Sequence, residues 1–222
     1  APAAGYRARR DAHEVPIMMK RLFTLICLLL FTQFALAHAF TLCDHYHCAL
    51  HGGTNSNRIY HWTGANHGPQ ASSDGARVAV INNDGWDTCI GTPQEHSLTW
   101  STYPERLEAA GVSWKIYQDM ADNYDNNPLA GFRSYREAYE TDSNSTLVSK
   151  GLSSTLRNKT LDGLKVDVLS DALPQVSWVI APAAYSEHAD QSSPVQGAWY
   201  TQQVLDALTS NPAVWSKTVL LL

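Results

Sequence analysis

Two short segments carry residue types that can act on an anionic group. In Gly52-Gly53-Thr54-Asn55-Ser56-Asn57-Arg58 a glycine pair precedes a threonine at a helix start. Glycines let the backbone bend tightly towards a ligand, and the helix N-terminus behind them offers free N–H groups to an anion. A Thr54 hydroxyl placed there becomes a nucleophile if a metal ion lowers its pKa. By spacing alone it can equally be the helix N-cap, worth about 1 kcal/mol. The segment is not a P-loop, because the Lys-Ser/Thr ending is absent. The second segment, Ala181-Pro182-Ala183-Ala184-Tyr185-Ser186-Glu187-His188, directly follows a strand-like run. Its His188 can protonate a leaving oxygen or hold a phosphoryl oxygen, and a plain surface histidine remains the alternative.

Cys43-Asp44-His45-Tyr46-His47-Cys48 imitates a metal site but lacks a second ligand pair at zinc spacing. A Cys43–Cys48 disulfide or two buried thiols is expected instead. Asn144-Ser145-Thr146 and Asn158-Lys159-Thr160 match the glycosylation sequon, which has meaning only in a eukaryotic secretory setting.

The elements that must hold these segments alternate. Helices are expected over Thr54–Thr63, Tyr103–Ala110 (closed by Gly111), Leu129–Tyr139, Leu161–Leu169 and Gln196–Leu208. Strands are expected at Arg77–Ile81, Val112–Tyr117, Gln175–Ile180 and Trp215–Leu222, with an Asn/Asp-rich loop over Asp119–Asn127. The apolar continuity of Gln175–Ile180 suggests a strand covered on both faces. Strands separated by helices imply an α/β fold with a mainly parallel sheet, whose ligands gather beyond the strands' carboxyl ends. No internal repeat or low-complexity linker divides the chain.

The 222 residues carry a formal charge of −5 and are 44% hydrophobic, with 7 Trp, 10 Tyr and 5 Phe. That apolar content supports a substantial core and excludes wholesale disorder. Only 4 Cys exclude a disulfide scaffold. A pI near 6 without a Lys/Arg run gives no electrostatic footprint for nucleic acid.

Several runs together resemble the bacterial phospholipase C family, phosphocholine-preferring enzymes grouped with certain acid phosphatases as phosphoesterases. They are Phe34-Ala35-Leu36-Ala37 through Ala39–Asp44, Tyr46-His47-Cys48, Thr54–Arg58 and Trp62-Thr63-Gly64. Further on come Thr102–Leu107, Gly111–Lys115 and Gln118-Asp119. Leu173–Trp178, Ala181-Pro182, Ser186-Glu187-His188 and Gln196–Trp199 complete the set. The resemblance implies an alkaline-phosphatase-like α/β fold, a central mainly parallel sheet flanked by helices and incomplete in this chain. It places the nucleophile on Thr54, a phosphoryl-contacting histidine on His188, and substrate contacts on Asn55, Tyr185 and Glu187. It also implies a divalent metal ion bound by Thr54, with an acidic-plus-Asn pair expected upstream of residue 1 and an Asp-Glu pair after Leu222. The implied substrate is a phosphatidylcholine-type lipid at a membrane surface, cleaved to diacylglycerol and phosphocholine; an acid phosphatase acting on monoesters and a catalytically dead fragment are the alternatives, and very low activity is expected of these 222 residues by themselves. Trp100, Tyr103, Trp178 and Tyr185 are available for a choline cage. No nucleic acid and no stable protein partner is implied.

The resemblance covers residues 33–222 as a partial phosphoesterase catalytic domain and leaves 1–32 unmatched. Lys20-Arg21, the apolar run Leu22–Phe31 and Ala35-Leu36-Ala37 follow the grammar of a secretory signal. A secreted or periplasmic protein is therefore expected, although the resemblance makes Phe34 onward an internal helix. The last four residues, Val219-Leu220-Leu221-Leu222, read as an interrupted strand, so the chain reads as part of a longer protein.

Overall fold

The structure, a computed structural model, describes residues 41, 43, 45–71, 77–79, 97–156 and 161–222. The signal-like run, Val80-Ile81 and the second sequon lie outside these residues. The chain falls into two compact units, 1–47 and 48–222. In the first, the described residues Thr41, Cys43, His45, Tyr46 and His47 are all exposed. Cys43 and Cys48 are both exposed free thiols, which corrects the expected disulfide or buried pair. Among the described residues no regular element borders either cysteine, and Cys48 donates to the Leu50 carbonyl at 3.3 Å.

The second unit is helix-rich α/β with a small parallel sheet. In chain order it runs α1 (Thr54–Thr63), β1 (His67–Ala71), β2 (Arg77–Ala79), α2 (Tyr103–Ala109) and β3 (Trp114–Tyr117). There follow a 3-10 turn (Pro128–Gly131), α3 (Arg133–Thr141), α4 (Thr146–Gly151), α5 (Asp162–Leu169) and β4 (Val176–Val179). A second 3-10 turn (Ala183–Tyr185), α6 (Pro194–Thr209) and α7 (Pro212–Trp215) complete it. β1 and β2 pair as an antiparallel hairpin, and β3 pairs with β4 in parallel, Trp114 opposite Val176 and Tyr117 opposite Val179.

The alternation of β3 divides the interior. Successive strand side chains point to opposite faces, so Trp114 and Ile116 enter one cluster with Ile59, Trp62, Leu107, Phe132 and Tyr135. Tyr117 enters a second cluster with Leu164, Val168, Tyr200, Val204 and Leu208. On that second face Tyr117 Oη and Lys115 Nζ both donate to Asp167 of α5, each at 2.6 Å. The strand pair is therefore the wall between two helical layers.

Local chemistry explains most helix ends. Thr102 caps α2 through a reciprocal capping box with Glu105, and Pro104 occupies its first turn. Gly111 adopts φ 67°, a conformation only glycine takes cheaply, and lets the Val112 N–H return to the Leu107 carbonyl at 2.9 Å.

Three expected elements differ. Leu129–Tyr139 is not one helix, because Phe132 is extended (φ −92°, ψ 136°) to bridge Leu98; Leu98 N–H donates to Gly131 O and Arg133 N–H to Leu98 O, both at 2.8 Å. Trp215–Leu222 is not a strand: Asn211 accepts from the Ala213 N–H and Pro212 opens α7, while 216–222 pair with no strand among the described residues. β4 is half-buried along its length rather than covered on both faces. β1, α4 and α7 were not anticipated.

Candidate functional site

Parallel pairing sends the carboxyl ends of β3 and β4 the same way, so the segments after them meet. The Ala183 N–H donates to Asp122 Oδ1 at 3.1 Å, joining the turn after β4 to the loop after β3. The N-terminus of α1 meets the same loop: Arg58 Nη1 donates to the Asn126 carbonyl at 3.2 Å. Between them opens a polar cleft of about 600 Å³, lined by Thr54, Asn55, Arg58, Tyr124, Asp125, Asn126, Ser186, Glu187 and His188.

The Gly52–Arg58 segment is tied in place by Asn57. Its Oδ1 accepts from the Leu50 N–H at 3.1 Å, and its Nδ2 donates to the carbonyls of Leu50 and Gly53 at 3.1 and 3.2 Å. Gly53, not Thr54, is the N-cap, and it provides no side-chain acceptor for the first-turn amides. Thr54 is thus the first helical residue, exposed at the cleft mouth, which removes the N-cap reading. Uncapped amides at a ten-residue helix start retain their pull on an anion.

Arg58 adds a full positive charge. Burial lowers its guanidinium pKa, but arginine stays protonated at any physiological pH. Its Nε is buried without a hydrogen-bond partner. A buried unpaired donor on a charged group costs free energy that an anion in the cleft would recover.

The loop after β3 is anchored by buried amides. Gln118 Oε1 accepts from Asn123 Nδ2 and Asn127 Nδ2, each at 3.1 Å, and Gln118 Nε2 and Asn127 Nδ2 both reach the Gly151 carbonyl. This network holds Tyr124 and Asp125 at φ 54° and 53°, and Glu187 across the cleft stands at φ 62°. Left-handed backbone at non-glycine residues is strained by about 1–3 kcal/mol each and persists where the surroundings enforce it. Three of the four such residues described line this cleft.

Glu187 is held by close approach to α6. Its N–H donates to Ser192 Oγ at 2.7 Å, and a Cβ added at Gly197 would lie 2.0 Å from its Oε1 and 2.2 Å from its Cγ. Gly197→Ala is therefore expected to displace the Glu187 side chain. The fold should hold or gain, since alanine favours a helix over glycine by up to about 1 kcal/mol. Thermal melting together with amide shifts at 187–188 would check this; a lowered melting temperature with unmoved 187–188 resonances would contradict it.

Four of the five side chains singled out from sequence, Thr54, Asn55, Glu187 and His188, line one cleft. Tyr185 does not. Its ring stacks on Trp199 and Tyr200, with centroids 5.2 and 5.3 Å away. The other cage candidates are also engaged elsewhere: Trp178 stacks on Trp62, Tyr103 meets Trp178 edge-on, and Trp100 meets Phe132 edge-on. The aromatic ring at the cleft is Tyr124, which sequence reading left in a loop. Arg58, Asp125, Asn126 and Ser186 were likewise not singled out. Among the described residues no three His, Cys, Asp or Glu side chains gather to hold a metal ion, so those residues alone do not fit a divalent cation.

The chain matches the Phosphoesterase family over residues 29–222. It is 54% identical over 189 residues to the non-hemolytic phospholipase C of Pseudomonas aeruginosa, covering 85% of this chain and 25% of that protein. The hemolytic phospholipase C of the same organism is 40% identical over 211 residues, covering 85% and 27%. Phospholipase C B of Mycobacterium tuberculosis is 38% identical over 192 residues, covering 85% and 34%. The chain thus spans a quarter to a third of the length of these curated relatives.

Proposed function

The chain belongs to the Phosphoesterase family, and from that membership we propose that its cleft takes part in phospholipase C chemistry on phosphatidylcholine-type lipids. The observation that carries this reading is the convergence on one cleft of the Thr54 hydroxyl, the uncapped start of α1, the partner-poor Arg58 guanidinium and the His188 imidazole. The relatives' name supplies the reaction class, and the resemblance supplies the nucleophile.

On this reading the Arg58 guanidinium and the α1 amides draw in the phosphodiester, and Asn55 contacts its oxygens. Thr54 Oγ attacks phosphorus in line, its proton passing to solvent, and the bond from phosphorus to the diacylglycerol oxygen breaks. His188, as imidazolium with a proton on each ring nitrogen, gives that oxygen one of them; left neutral, it takes one from the water that hydrolyses the phosphothreonine, Thr54 Oγ regains its proton from solvent, and phosphocholine is freed. The Tyr124 ring and the Glu187 and Asp125 carboxylates suit the quaternary ammonium of choline, which favours aromatic faces and negative charge. A divalent cation beside Thr54 belongs to the proposal only with ligands from outside the described residues. The strand pair β3–β4 is read as part of an alkaline-phosphatase-like sheet. The signal-like run supports export to the periplasm or the medium, where the substrate would be met at a membrane surface.

Turnover of p-nitrophenyl phosphorylcholine set against p-nitrophenyl phosphate tests the reading. Preference for the diester supports it, preference for the monoester favours a phosphatase, and inactivity on both favours a catalytically dead fragment. Binding tests the anion site separately. Arg58→Ala is expected to weaken phosphocholine binding, measured by calorimetry, by about 10–100-fold, the worth of a charge-assisted hydrogen bond in a desolvated site. An unchanged affinity would remove Arg58 from the phosphoryl site.

A further inference from the structure

We propose that Asp190 is a positioning residue for His188, holding the neutral imidazole with its proton on Nδ1 so that Nε2 is the nitrogen presented to the cleft. The role of Nε2 there rests on the phosphoester reading above; the pairing itself rests on geometry alone. His188 Nδ1 is hydrogen-bonded to Asp190 Oδ1. An ionised carboxylate only accepts, so the imidazole nitrogen facing it must carry the proton. Partial desolvation would raise the Asp190 pKa, but hydrogen bonds from Gln191, His188 and Tyr124 and the charge of His188 outweigh it and hold the carboxyl low. The group is therefore ionised at neutral pH.

The surrounding backbone is built to return this carboxylate to the ring. The His188 carbonyl accepts from the N–H groups of Gln191 and Ser192 at 2.9 and 2.8 Å, closing a turn around Asp190. The His188 N–H is held by Ser186 Oγ at 3.3 Å. From the opposite wall the Tyr124 hydroxyl lies 3.3 and 3.4 Å from the two Asp190 oxygens and 3.3 Å from His188 Nδ1. The Tyr124 ring also packs on the imidazole at 4.7 Å between centroids, tilted by 46°. Two partners, Asp190 and Tyr124, thus crowd the Nδ1 side of the ring. The arrangement follows the general logic by which a hydrogen bond at one imidazole nitrogen selects the tautomer and frees the other for proton transfer.

The test is nitrogen-resolved NMR of the 15N-labelled chain at a pH where imidazole is neutral, with His188→Gln used to assign the resonance. In the parent, the proton is expected mainly on His188 Nδ1. Asp190→Ala should lose that majority and pass to the Nε2–H form that an unconstrained imidazole prefers. Asp190→Asn can turn its amide NH2 towards Nδ1 and donate to it, so it too should raise the Nε2–H form. An Nε2–H majority in the parent, or an Nδ1–H majority surviving in Asp190→Ala, overturns the proposal. Asp190 is more than half exposed, so neither substitution endangers the fold. Phosphocholine titration separates the two claims. If the tautomer behaves as expected but Nε2 shows no response, the phosphoester reading fails while the pairing stands.

Discussion

Thr54→Ala is expected to lower p-nitrophenyl phosphorylcholine turnover by roughly 10³-fold or more, the scale on which nucleophile removal acts in covalent catalysis. Because Thr54 is exposed and Gly53 holds the cap position, the same substitution should change stability by no more than about 0.5 kcal/mol. That separation distinguishes a nucleophile from a structural threonine. A helix-capping role would move the melting temperature and spare turnover. Turnover within about tenfold of the parent, well short of what losing a nucleophile costs, would end the assignment of Thr54 as the attacking group. Thr54→Ser keeps a hydroxyl and should retain part of the activity.

Asn127→Ala should produce the second large effect, this time on folding and cleft together. The Asn127 side chain is buried, donates to Gln118 Oε1 and Gly151 O, and accepts from the Leu129 N–H. Removing it leaves the Leu129 N–H without its acceptor in the core, at a cost of about 2–4 kcal/mol for the several bonds together. For a unit of this size that corresponds to a fall of about 5–15 °C in melting temperature. The loop carrying Tyr124, Asp125 and Asn126 should loosen with it, weakening phosphocholine binding. A drop below about 0.5 kcal/mol, the ordinary range of a surface change, would mean that the buried amides do not brace the cleft.

How much of this was legible in the sequence depended on the range of the interaction involved. The Thr102–Glu105 pair with Pro104 is a local signal, and α2 begins where it says. The continuous apolar run around Trp178 marked β4, and the carboxyl-end rule pointed to the loop that carries His188. Phe132, by contrast, lies within a helix-like stretch and is drawn out of it by Leu98, 34 positions earlier, so no local pattern could reveal the break. The final aliphatic run looked like a strand because apolar residues without period suit one, yet a strand exists only with a partner. Tyr124 and Asp125 looked like ordinary loop residues because their strained φ values and their place opposite His188 arise from the Gln118–Asn127 amides and the α1 contact.

Residue types and their order along the chain determined the family, the Thr102–Glu105 cap of α2 and the identity of Thr54 and His188 as the groups worth watching. Those properties are carried by single residues or by neighbours a turn apart, where side-chain chemistry acts directly on the nearby backbone. Tertiary structure alone decided that Tyr185 turns into the second core, that Arg58 and Tyr124 join the cleft, and that Tyr124 meets the His188–Asp190 pair from the opposite wall. Each of those outcomes is set by packing and hydrogen bonds between separate elements rather than neighbours in sequence, and for the cleft their energies exist only once β3 and β4 have brought their loops together.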